Sequence, residues 1–165
     1  MTEKEQIKNM KIGVLYGGIS AEREISLKTG GAVLKALTDL GYTAVGIDVG
    51  LDLPRQMKDA AIELAFIALH GRFGEDGRVQ GLLEMLQVPY TGSGVLSSSL
   101  SIDKVATKQM LLYHELPTPG FEVIKTKGQA EKLLKNCRHF PLVVKPAREG
   151  STIGISIVQS LEALR

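Results

Sequence analysis

Residues 64–69 read LAFIAL, six apolar side chains in a row with no polar residue to face water. A strand of this kind is covered on both faces, as happens when helices flank a parallel sheet. Residues 11–16 (KIGVLY) make a second β-branched and apolar run, which ends in Gly17-Gly18 where a helical pattern begins. Another strand is predicted over 42–49. Strand, glycine turn and helix in alternation is the grammar of an α/β fold with a parallel sheet.

In the helix after the glycine turn, Ile25, Ala32, Val33, Ala36 and Leu40 fall on one face at the 3.6-residue period. Glu22 and Glu24 lie in its first turn, and Gly41 can cap its C-terminus. The Gly30-Gly31 pair either weakens this helix or permits close packing. Further on, the pattern predicts a helix over 79–86, a brief strand over 88–90 and a small-residue loop over 91–99. A helix over 103–116 follows, closed by Pro117 and Pro119, which lack an amide donor. A domain boundary is placed near Ser101, giving one domain over 1–102 and another over 103–165.

Beyond the boundary, strands are expected over 121–124, 142–145 and 154–158. A helix is expected from Thr126, where Thr126 and Gln129 have capping-box spacing. Ser160 offers another N-cap, yet the sequence ends at Arg165 after little more than one turn, so the chain is expected to be a fragment.

Composition narrows the function classes. With 44% hydrophobic and 23% charged residues, the chain belongs with soluble globular proteins. Its basic residues are scattered and the formal net charge is +2, which disfavours a nucleic-acid track. A lone cysteine, Cys137, forms no intramolecular disulfide and has no metal-ligand spacing; a reducing cytoplasm is expected. The polar opening MTEKEQIKNM is no secretory signal, and no run approaches the ~20 apolar residues of a membrane span.

Three constellations can carry chemistry. GGISAERE, residues 17–24, delivers carboxylates to a helix N-terminus beyond a buried strand, at the sheet edge where α/β proteins bind ligands. Glu22 there suits a substrate ammonium, and it equally suits the helix dipole for stability alone. HGRFGEDGRVQG, residues 70–81, sets His70 at a strand end among glycines that let backbone approach a ligand; the alternative is a histidine satisfying backbone groups beside a solvated Glu75-Asp76 turn. VVKPAREGST, residues 143–152, ends a strand in Lys145 and follows it with loop amides and hydroxyls that suit a phosphate chain, or form a solvated hairpin loop. Neither GxxxxGK[ST] nor GxGxxG is present. His114, His139 and Cys137 are assigned to packing or surface.

GGISAEREIS, HGRFGEDGRVQG, PYTGSG followed by DK, and VVKPAREGS together resemble the D-alanine-D-alanine ligases of the ATP-grasp superfamily. The resemblance implies a Rossmann-like N-terminal domain, then the opening part of an α+β ATP-grasp domain. It implies ATP-dependent joining of two D-alanines through a D-alanyl phosphate, for peptidoglycan precursor synthesis. Carried over, Glu22 would bind the ammonium of the first D-alanine, Ile25 would line its methyl group and His70 would approach its carboxylate. Lys104 and Lys145 would contact ATP phosphates; Glu149, Gly150 and Ser151 would belong to a loop over them. Ser151 would also bond toward Glu22 and share a catalytic role with it. The ligands of magnesium or manganese would lie outside this chain, and the isolated chain would be inactive. A homodimer through the N-terminal domain is also implied. The alternatives are a ligase taking D-lactate or D-serine second, or a non-catalytic small-ligand module. Ile19, where threonine is frequent, and Phe73, at a variable position, depart from the pattern without touching an assigned role.

Overall fold

A computed structural model describes residues 3–150 and 153–164 of the chain. They divide into two compact units, Met1–Ile102 and Asp103–Arg165.

The first unit is built on three parallel strands, β1 (Ile12–Tyr16), β2 (Ala44–Asp48) and β3 (Leu64–Ile67), in the order β2-β1-β3. Register pairs Ile12 with both Ala44 and Leu64. Tyr90 adds a single parallel bridge to Ala65, which is all that forms of the strand expected over 88–90. The apolar runs explain the order: Val14 and Leu15 of the central strand are fully buried, as is Ala65 beside them. Leu15, Ile47, Met57, Ile62, Leu69 and Leu83 belong to one continuous core.

Five helices accompany this sheet: α1 (Glu3–Asn9), α2 (Arg23–Asp39), α3 (Leu53–Asp59), α4 (Arg78–Met85) and α5 (Val95–Ile102). Helices α1 and α3 had no sequence signal in our reading, and α5 begins inside the stretch expected to be a loop. The buried face of α2 also differs from expectation. Ile25 and Leu40 are 51% and 65% exposed, whereas Ser26 and Gly30 are buried. The reason is contact distance: a Cβ on Gly30 would lie 2.2 Å from Tyr16 Cβ, so the helix rests on β1 through its small residues. The Tyr16 ring also covers Gly46 of β2, where a Cβ would come within 2.5 Å of its hydroxyl.

The second unit holds α6 (Lys104–Tyr113), α7 (Lys127–Asn136) and an antiparallel pair, β4 (Leu142–Val144) with β5 (Ser156–Val158). Thr126 and Gln129 form the reciprocal capping box at the start of α7. Residues 121–124, expected as a strand, adopt no regular structure; among the described residues no strand pairs with them to supply the ladder bonds that extended backbone needs. Among the described residues no helix is long and apolar enough to cross a membrane.

Candidate functional site

In the order β2-β1-β3 the chain leaves β1 toward one neighbour and later returns to the other side of it. The connections after β1 and β3 therefore part company at the strands' C-terminal ends, and such a switch point leaves a crevice. Glu22 comes from the connection after β1 and His70 from the connection after β3.

Two glycines form the turn after β1, at φ +74 for Gly17 and +79 for Gly18. Arg23 locks this turn. Its guanidinium grips Asp48 at the end of β2 through two 2.6 Å hydrogen bonds, and donates to the Gly18 carbonyl at 3.1 Å. The guanidinium holds the Asp48 carboxyl below its usual value. A Cβ on Gly17 would fall 2.1 Å from Asp48 Oδ1, so the clamp requires glycine there.

Glu22 is the N-cap residue of α2, but its side chain makes no capping bond. Its amide instead donates to Ser20 Oγ at 3.1 Å, and Ser20 Oγ donates to the His70 carbonyl at 2.8 Å. The residue is 9% exposed, and one carboxylate oxygen lies where a Cβ on Gly71 would be, 2.5 Å away. Among the described residues no donor is paired with this carboxylate. Ile25 stands exposed in the same first turn.

Three hydroxyls stitch this region to the segment after β3. Besides Ser20, Ser26 Oγ donates to the Ala68 carbonyl at 2.8 Å, and Thr29 Oγ1 lies 3.2 Å from His70 Nε2. On the other side of the ring, Nδ1 is 3.9 Å from Glu75 Oε1. Glu75 uses its second oxygen to accept the Gly71 amide at 2.7 Å. Asp76 accepts from the amides of Phe73 and Arg78, and Gln80 donates to the Gly74 carbonyl. The loop is thus held by its backbone. Gly74 packs within 2.4 Å (as a built Cβ) of Leu69 Cβ, and Gly77 turns into α4 at φ +88. The Glu75-Asp76 pair is therefore structural as well as charged.

An apolar cleft of about 250 Å³ opens nearby, lined by Ile19, Leu51, Leu69, Phe73 and Arg78 among others. Glu22, Ile25 and His70 do not line it, so it is a neighbour of the candidate site and not the site itself.

In the second unit, Asp103 caps α6, accepting from the amides of Val105 and Ala106, and also accepts from Arg148 Nε at 2.8 Å. Lys104 donates through its amide to the Ala147 carbonyl and through Nζ to the Glu149 carbonyl at 2.6 Å. The loop after β4 is therefore fastened to the start of α6. Lys145 directly follows β4 and is exposed; Gly150 is half-buried. Ser151 and Thr152 lie outside the described residues, so the Ser151 link to Glu22 cannot be placed here. Among the described residues no group of three or more His, Cys, Asp or Glu side chains could hold a metal ion.

A family model described as D-ala D-ala ligase N-terminus matches residues 50–93, and one described as D-ala D-ala ligase C-terminus matches residues 110–165. The D-alanine--D-alanine ligase of Syntrophotalea carbinolica is 59% identical over 162 residues, covering 98% of this chain and 52% of the relative. The chain belongs to the D-alanine-D-alanine ligase family. The family's fold agrees: a crystal structure of the Bacillus anthracis ligase aligns at a TM-score of 0.77 and 38% identity, over 94% of this chain and 51% of that one. The Bacillus anthracis ligase complexed with ATP aligns at 0.74 and 39%, over 94% and 52%. The chain spans about half the length of the family members it matches.

The sequence reading singles out Glu22, His70 and Lys104 and says nothing of Ser20, Ser26 and Thr29, whose hydroxyls bond across this region. A usable signal existed: Glu22, Ser26 and Thr29 recur at i, i+4 and i+7, a polar stripe along one helix face. Attention to the apolar stripe hid it.

Proposed function

We propose that this chain supplies the first-substrate site and part of the nucleotide grip of an ATP-dependent ligase that joins two D-alanines. The carboxylate of the first D-alanine attacks the γ-phosphate of ATP, and the amine of the second displaces phosphate from the acyl phosphate. In this reading Glu22 binds the ammonium of the first D-alanine, Ile25 meets its methyl group and His70 faces its carboxylate. Lys145 and Lys104 meet ATP phosphates, with Glu149, Gly150 and Ser151 in the loop over them, and Ser151 works with Glu22. The proposal includes a cytoplasmic setting and a homodimer through residues 1–102, for which the exposed Leu51, Met85 and Leu96 offer apolar surface.

The observation that carries the reading is Glu22, a residue 9% exposed in the turn after β1, whose carboxylate has no hydrogen-bond donor among the described residues. A carboxylate with its acceptor capacity unused inside the fold can take a ligand ammonium through charge-assisted hydrogen bonds. In this reading the chain's own contribution is positioning and charge pairing.

The test joins this chain to the C-terminal half of the Syntrophotalea carbinolica relative and follows phosphate release with D-alanine and ATP. Glu22→Gln is expected to raise the KM for the first D-alanine roughly tenfold to a hundredfold, the weight of one charge-assisted hydrogen bond. Unchanged kinetics would remove Glu22 from the site.

A further inference from the structure

We infer that Thr29 is a positioning residue for His70, holding the neutral imidazole as the tautomer with hydrogen on Nε2; its bearing on catalysis rests on the proposed role of His70. The Thr29 hydroxyl has a single hydrogen. It lies 3.0 Å from the carbonyl oxygen of Ile25, one helical turn back, in the back-bonding position that threonine adopts in helices. With its hydrogen committed there, Oγ1 meets His70 Nε2 at 3.2 Å as an acceptor, and the ring nitrogen is the donor. At 3.9 Å from Glu75 Oε1, Nδ1 is beyond hydrogen-bond reach. Thr29 is thus the ring's hydrogen-bond partner among the described residues.

The backbone of His70 is fixed independently, because its carbonyl accepts from Ser20 Oγ at 2.8 Å. Two helix-side hydroxyls therefore divide the work: Ser20 places the main chain and Thr29 sets the ring. The consequence is chemical as well as geometric. With Nε2–H directed into α2, Nδ1 is the nitrogen on the Glu75 side, and in the neutral ring it carries a lone pair that makes no bond to that carboxylate and can accept from a ligand donor.

The tautomer can be read in the ligand-free chain from the long-range ¹⁵N–¹H correlations of His70 in alkaline solution, where the ring is neutral. The expected pattern is a protonated Nε2 and a bare Nδ1. Thr29→Ser, which keeps the hydroxyl, is expected to preserve it. Thr29→Val, which keeps the shape and removes the acceptor, is expected to give a tautomer mixture. A wild-type ring protonated on Nδ1 would overturn the inference, as would an unchanged tautomer in folded Thr29→Val. Should the valine variant fail to fold, Thr29→Ala, which also removes the acceptor, takes its place, and an unchanged tautomer ratio there would overturn the inference. No D-alanine is present in this experiment, so its failure is separate from a failure of the Glu22 kinetics.

Discussion

At the residue scale, the clamp between Arg23 and Asp48 ties the turn after β1 to the end of β2. The pair is open to water, at 42% and 48% exposure, so it is screened by salt and contributes modestly. Its pH dependence has a definite sign. The Asp48 carboxyl titrates lower in the folded chain than in the unfolded one. Its stabilising contribution is therefore complete above the unfolded value of about 4 and disappears as pH falls through the lower folded value. Thermal unfolding of Asp48→Asn should show a reduced midpoint at pH 7, with the gap to wild type closing in acid and shrinking in added salt. A gap that persists unchanged at low pH would mean the loss is one of packing. Arg23 and Asp48 were invisible as a pair in the sequence, because residues twenty-five apart give no spacing signal until strand order brings them together.

At the element scale, α2 is where the sequence was least readable. Hydrophobic periodicity selects the face with the larger side chains, yet the face that meets the sheet is chosen by how close the backbone can come. Gly30 lets α2 approach Tyr16, whereas nothing lies within 4 Å of a Cβ built on Gly31. The two glycines therefore predict opposite outcomes. Gly30→Ala gains about 0.8–1 kcal/mol in helix propensity and loses about 1–3 kcal/mol to overpacking, for a net destabilisation. Gly31→Ala has only the gain. Urea midpoints measured on both variants at constant m-value check the pair. By contrast, β1, β3, α6 and the Thr126 cap of α7 were legible, since apolar runs, prolines and capping residues act locally.

At the scale of the whole molecule, the two units differ in how much core they own. Among the described residues, every buried apolar side chain except Val158 belongs to residues 1–102. Expressed alone, residues 1–102 are expected to unfold cooperatively in urea, and residues 103–165 to show no cooperative transition by circular dichroism. A sharp transition in the second fragment would contradict this. The contrast also explains why the motifs of the first unit could be placed on a sheet from sequence alone. In the second unit, residues 121–124 had the composition of a strand but no neighbour to pair with. The loop after β3 carries a last consequence. Its main chain is fixed through Glu75, Asp76 and Gln80, while the Phe73 ring lies under the guanidinium groups of Arg72 and Arg78, 5.5 and 5.0 Å from its centre. Phe73 faces the apolar cleft beside the site, even though its φ of +71 is unfavourable for a side chain of that size. A smaller side chain at position 73 would widen the cleft and release both arginines, while the main-chain bonds that hold the loop would stay in place.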